Sequence, residues 1–95
     1  MHYEWDSKKT ARNRRLHGVD LVDAIPAIED PNRLEEIDLR FAYGEERMRI
    51  IGMAYGRVLF VVTTVRDEQT CRIISARKAT RHEQERYFKS DRQAG

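Results

Sequence analysis

An α+β fold, with N-terminal helices packed on a small antiparallel sheet of about four strands and a C-terminal helix after it, is predicted by three features of the sequence. Val58, Phe60 and Val62 alternate with Leu59 and Val61 in an apolar run of strand length. Segments rich in β-formers lie on both sides of that run, and capped segments with helical spacing stand before and after them. A centre strand apolar on both faces needs cover on both sides, and the helices are the elements available to supply it. Ninety-five residues make one domain, residues 1–95, with no room for separate catalytic and binding halves.

Residues 3–5 suit an edge strand. Asp6 is a good N-cap for a helix over Ser7–His17, and Gly18 can take the left-handed conformation that closes it. That helix is almost wholly polar. Ala11 and Leu16 are its clear apolar residues, and Lys8, Arg12 and Arg15 fall on one face. Asp20 can cap a second helix in which Leu21, Ala24, Ile25 and Ile28 recur at three- and four-residue spacing. Pro26, which costs about 3 kcal/mol in a helix interior, limits it to one or two kinked turns. Asp30-Pro31-Asn32 signals a turn, and the acidic stretch over residues 34–44 leaves room for one short strand near residues 34–37. Residues 47–54 and 57–65, joined by Tyr55-Gly56, read as a hairpin, and Asp67-Glu68-Gln69 turns the chain into a third strand over residues 70–77. Thr80 and Glu83 form a T-x-x-E capping box that opens a C-terminal helix through Tyr87 and Phe88.

Apolar residues make up 40% of the chain and charged residues 36%, enough for a small core and too charged for a membrane protein. No apolar run approaches the roughly 20 residues of a spanning helix. The N-terminus lacks the basic and hydrophobic regions of a secretory signal, so a cytoplasmic location is expected. The lone Cys71 has no internal disulfide partner, and three histidines with one cysteine are too scattered for a zinc site; no metal and no cofactor are expected. The net charge of +2 hides an asymmetry. Residues 7–18 carry five cations and no acid, whereas residues 19–46 carry nine acids against Arg33 and Arg40. Fourteen of the 18 cations are arginine, whose planar fork suits phosphate. A polyanion is one candidate partner; a merely solvated charged surface is the plainer alternative.

Phosphate-binding glycine loops, nucleotide-binding glycine patterns, the serine-hydrolase elbow and metal-spaced His/Cys clusters are all missing. Cys71, in a predicted strand with no partner base, reads as a packed thiol. Arginine, lysine, histidine, glutamate and tyrosine remain, and they suffice for RNA cleavage by its own 2′-hydroxyl. That reaction needs a base, cations to hold the pentavalent phosphate and an acid for the leaving 5′-oxygen. Arg47 and Arg49 point to one side of their strand, as do Ser75 and Arg77 of theirs, so several guanidinium groups line one surface if those faces meet. Otherwise the face is a solvated one laced by salt bridges to Glu45, Glu46 or Glu68. For His17, at a helix C-terminus, a capping role competes with catalysis. His82 is expected to be exposed, with Tyr87 and Phe88 as one core anchor and one rim residue.

In order along the chain, Tyr3-Glu4-Trp5-Asp6, Asn13, His17-Gly18-Val19, Asp30-Pro31, Tyr43-Gly44-Glu45-Glu46-Arg47 and Arg72-Ile73-Ile74-Ser75-Ala76-Arg77-Lys78-Ala79-Thr80, with Glu83 and Tyr87, make a pattern. It closely resembles the BrnT-type toxins of bacterial type II toxin–antitoxin systems, from about residue 3 to residue 88. The resemblance implies a RelE-like ribonuclease fold and metal-independent RNA cleavage that inhibits translation. It also implies a BrnA-type antitoxin, in a complex with two copies of each protein that binds operator DNA through the antitoxin. Carried over by position, Arg47 and Arg77 are candidate phosphate and transition-state ligands, Lys78 an added cation or proton-transfer group, and His17 and Glu46 candidate bases. Lys8, Arg12, Arg15, Arg49 and Arg81 are the cations expected to bind RNA. An antitoxin segment is expected to cover the arginine-lined face. The chain departs from the family pattern at Leu16, where a lysine is usual, at Leu21 and Ile28, where an aromatic is common, and at Met48, where tryptophan is common. The first change removes one cation from the RNA side. A non-catalytic RNA- or protein-binding module of the same fold is the second reading, supported by the lack of an assured general base.

Overall fold

A computed structural model describes residues 1–38 and 46–94, so the Tyr43-Gly44-Glu45 part of the sequence pattern lies outside the described residues. The chain runs β1 (His2–Glu4), α1 (Ser7–His17), a 3-10 turn (Leu21–Ala24), α2 (Ile25–Glu29), β2 (Leu34–Asp38), β3 (Arg47–Ala54), β4 (Arg57–Asp67), β5 (Thr70–Lys78) and α3 (Arg81–Ala94). The strands form one sheet in the order β1-β5-β4-β3-β2, antiparallel except where β1 joins β5. This is one strand more than the four or so expected. The edge strand expected near residues 3–5 is present at His2–Glu4, paired in parallel with β5, and brings the sheet to five.

The helices form where their caps allow. Asp6 accepts from the Lys8 amide at 2.8 Å, and Gly18, at φ 69°, closes α1. Pro26 falls in the first turn of α2, where no amide hydrogen is needed, and the expected short helix is divided into a 3-10 turn and α2. Asp20 does not cap that turn with its side chain; it pairs with Arg14 instead. The capping box of α3 forms in both directions, with Thr80 Oγ1 accepting from the Glu83 amide at 3.2 Å and Glu83 Oε1 from the Thr80 amide at 2.8 Å.

The centre strand is covered on both sides, as its sequence requires. Leu59 and Val61 pack with Ile50 and Ile73 beneath Leu21 and Ala27 on the helix face. Val58 and Ile51 pack beneath Tyr87 of α3 on the other face. The small residues under α2 let backbone approach backbone. A Cβ on Gly52 would lie 2.2 Å from the Ala27 carbonyl oxygen.

Each outer strand is shorter than the strand it flanks. β1 covers β5 only from Thr70 to Arg72, and beyond it the Asn13 carboxamide takes over. Its oxygen accepts from the Ala76 amide at 3.2 Å, and its nitrogen donates to the Ala76 and Val19 carbonyls at 2.7 Å each. At the other edge β2 pairs with β3 only as far as Ile51. There the buried Asp30 carboxylate accepts from the amides of Met53 (2.8 Å) and Asn32 (2.9 Å) and from the Tyr87 hydroxyl. Burial alone would raise the Asp30 carboxyl, but the bonds from Tyr87, Asn32 and Met53 outweigh it and hold the group below its ordinary 3.8. Ala11 and Leu16, the apolar residues of α1, are exposed; Asn13 is its buried residue, and Thr10 Oγ1 accepts from the Leu21 amide at 3.1 Å. No described helix is long and apolar enough to cross a membrane.

Two outcomes follow from this packing. Gly52→Ala places a methyl group against backbone that cannot rotate away and should cost about 3 kcal/mol, read as a lower urea midpoint at unchanged slope. Tyr87→Phe removes a charge-assisted hydrogen bond and should cost about 2 kcal/mol at pH 7. A carboxyl held low in the folded state stabilises above its unfolded value and loses that contribution as pH falls through the folded one. The gap between Tyr87→Phe and the parent should therefore be full at neutral pH and narrow below about 3.8, as urea titrations at several pH values would show.

Candidate active site

Strand register builds the face opposite α1 and α2 in rows. One row runs Asp38, Arg47, Thr64, Arg72 and Glu4 across the sheet; the next runs Glu36, Arg49, Val62 and Ser75; the third runs Leu34, Ile51, Phe60 and Arg77. Arg47, Arg49 and Arg77 therefore share one face, and α3 covers only the end near Phe60. A β-bulge adds a fourth arginine. Val62 pairs with Ser75 but Thr63 with Ile73, so Ile74 is the extra residue and Arg72 is flipped to the arginine side. Strict alternation along β5 would put Arg72 opposite Arg77, which is why the sequence alone missed it.

Carboxylates from three other elements hold Arg49, Arg72 and Arg77. Arg77 donates from Nη1 to Glu83 Oε1 at 2.8 Å and from Nη2 to Glu83 Oε2 at 2.9 Å, and its Cζ lies 4.1 Å over the centre of the Phe60 ring. Arg49 donates to Glu36 Oε2 at 3.0 Å while Arg86 of α3 engages Oε1, and Arg72 reaches Glu4 at 3.3 Å. The partners of Arg49, Arg72 and Arg77 are thus Glu36, Glu4 and Glu83 rather than the Glu46 or Glu68 named from the sequence, and Glu45 lies outside the described residues. The Arg77 fork is the first cause holding Glu83 below its ordinary 4.5, and the Arg86 hydrogen bond does the same for Glu36. These pairs are partly solvated, so their contribution is more to orientation than to stability. The Nε of Arg49 is buried with no acceptor among the described residues.

Beside this face, between α1 and β5, lies a groove of about 260 Å³ lined by Lys9, Arg12, His17, Ile74 and Ser75 among others. Ser75 belongs to the row of Arg49, so the groove adjoins the arginine face. Lys8 and Arg15 are exposed on α1 outside the groove lining. Glu46 is exposed just before β3, with its carbonyl accepting from the Thr64 hydroxyl at 2.9 Å. Lys78 pairs with Leu59 and so alternates to the helix face, away from Arg77. Arg81 is exposed in the first turn of α3, paired with Glu85 at 3.4 Å. His82 is exposed, Tyr87 is buried and Phe88 sits at the rim.

A larger cleft lies elsewhere. About 540 Å³ in volume, it lies on the helix face among Tyr3, Ile28, Met48, Ile50, Thr63 and Cys71. Burial pushes the Cys71 thiol up, and burial with the Glu29 hydrogen bond pushes Tyr3 up to about 12. Neither is an ionised nucleophile near neutrality, and Arg47, Arg49, Arg72 and Arg77 stand on the other side of the sheet, while Arg33 is a cation at this cleft.

The family model of the ribonuclease toxin BrnT of type II toxin–antitoxin systems matches residues 5–83. The chain belongs to the BrnT family. Among solved structures it is similar to the crystal structure of the Brucella abortus ribonuclease toxin BrnT, with a TM-score of 0.62 and 21% identity, covering 85% of this chain and 100% of that one. That likeness is one of fold. No curated protein sequence matches. The family is one of ribonuclease toxins that work with an antitoxin, so the α+β fold, the toxin class and the general activity agree with the reading of the sequence. All four open-face arginines and Glu83 fall within the residues matched to BrnT.

Proposed function

We propose that the arginine face binds the RNA backbone and cleaves it without a metal, by attack of a 2′-hydroxyl on the adjacent phosphorus. The observation that carries this reading is the convergence of Arg47, Arg49, Arg72 and Arg77 on one side of the sheet, next to the groove that holds His17. Arg77 and Arg47 are assigned to the charge of the pentavalent intermediate, Arg49 and Arg72 to flanking phosphates. His17, from the groove wall, and Glu46, beside Arg47, are the groups assigned to take the 2′ proton. The O2′–P bond forms, the P–O5′ bond breaks and the 5′-oxygen takes a proton, leaving a 2′,3′-cyclic phosphate and a 5′-hydroxyl. Lys9 and Arg12 extend the track along the groove, while Lys8, Arg15 and Arg81 add outlying positive charge. Lys78, turned from Arg77, is proposed only as a peripheral cation.

In the cell this chemistry is proposed to act in the cytoplasm and inhibit translation until a BrnA-type antitoxin covers the arginine face. The complex would hold two copies of each protein and bind operator DNA through the antitoxin. The engagement of Arg49, Arg72 and Arg77 by carboxylates favours a second reading, a module that binds RNA or protein without cutting it. Product formation separates the two.

Induction in a bacterial host should halt growth and fragment RNA, and Arg77→Ala and Arg47→Ala should each slow cleavage by the purified chain about 100-fold. Products should end in 2′,3′-cyclic phosphate, and EDTA should change nothing. Unimpaired growth at good expression, or an activity abolished by the chelator, would count against the proposal.

A further inference from the structure

We infer that Glu83 is the positioning residue of Arg77, clamping one edge of its guanidinium so that the opposite edge is presented to two oxygens of one phosphate. The inference rests on the proposed ribonuclease reading and adds a residue to it.

A guanidinium has five N–H groups. Two Nη1 bonds, to Glu83 Oε1 and to the Lys78 carbonyl at 3.2 Å, and one Nη2 bond, to Glu83 Oε2, account for three of them. The two left are Nε–H and the outer Nη2–H. They lie parallel along the edge away from Glu83, the fork geometry that takes two oxygens of a phosphate side by side. Phe60 packs against the plane of the group and prevents it from rolling. The Arg77 side chain is 34% exposed and that of Glu83 15%, so the carboxylate stands behind the cation rather than in front of it.

Glu83 is itself fixed. It is the third residue of α3, bonded both ways to Thr80, and α3 is held to the sheet through Tyr87 and Asp30. Glutamine at the same position would keep the capping box, because one oxygen satisfies the Thr80 amide, but its NH2 group would face guanidinium donors and break the fork. Glu83→Gln therefore separates the two duties of one side chain.

The experiment measures single-turnover cleavage of an RNA at saturation, alongside binding of the same RNA carrying a 2′-deoxy sugar at the cut site. Glu83→Gln should lower the cleavage rate about 10- to 100-fold and shift the affinity for the uncleavable RNA less than threefold. Thr80→Ala, which loosens the same helix start but spares the carboxylate, should stay within about threefold of the parent rate. Arg77→Ala and the Arg77→Ala/Glu83→Gln double variant should be equally slow, because the second change has nothing left to misplace. Should Glu83→Gln fail to fold, Glu83→Asp, one methylene too short to span the fork, takes its place with the same expected loss. Parent-like cleavage by the Glu83 variant while Arg77→Ala is slow would overturn the positioning role alone, and so would a Thr80→Ala enzyme as slow as Glu83→Gln. A parent that cleaves nothing removes the ribonuclease reading instead. Nitrogen NMR of the Arg77 side chain then decides for positioning: slow Nη rotation in the parent that becomes fast in Glu83→Gln supports it, and fast rotation in the parent overturns it.

Discussion

The sheet ends its outer strands too early, and two polar side chains close the gap. β5 and β3 each run past their neighbour, leaving backbone groups at Ala76 and Met53 that need partners in a dry interior. A buried amide left unpaired costs about 1–3 kcal/mol, a large share of what a domain of this size can hold in reserve. Asn13 supplies a donor and an acceptor in one carboxamide and so imitates a strand's peptide group. Asp30 supplies an acceptor with capacity to spare, and the spare capacity takes Tyr87 of α3.

Function follows from where these two clamps pull the helices. Because α1 is pinned by Asn13 and Thr10 rather than by an apolar stripe, its other positions are free to be lysine and arginine, and the groove beside β5 acquires Lys9, Arg12 and His17. Because α3 is pinned at Tyr87, it covers the sheet over Val58 and Ile51 and stops there. Among the described residues, the remaining rows stay open. The proposed catalytic face is in this sense the area that α3 leaves uncovered among the described residues.

Most elements were legible in the sequence because each carries a local signal: the Asp6 and Gly18 caps, the Thr80–Glu83 box, the doubly apolar run through Phe60, the Tyr55-Gly56 turn. What was not legible depends on pairs far apart in the chain. Asp30 looks like a turn residue until Tyr87 arrives from 57 residues away. Glu83 looks like a capping residue and is one, yet both of its oxygens also hold Arg77. Arg72 was hidden by a bulge, since period-two alternation is a rule about uninterrupted strands and one extra residue reverses it. Lys78, carried over by position from the family, follows the same rule without a bulge: adjacency to Arg77 in sequence means the other face in a strand.

Carboxylates beside every described open-face arginine with a named partner raise the question of how such a surface attracts an anion. Four guanidinium groups on β3 and β5, on either side of β4, with no counter-charge beside them, would repel one another and splay into solvent. Glu4, Glu36 and Glu83 remove that repulsion, and each does so by occupying one part of its guanidinium. The long-range field is weakened, in keeping with a net charge of only +2. Directional donors are preserved. On the proposed reading, a face built this way discriminates by whether an anion can meet oriented N–H groups at short range, which a phosphodiester with two free oxygens can do and a diffuse negative surface cannot.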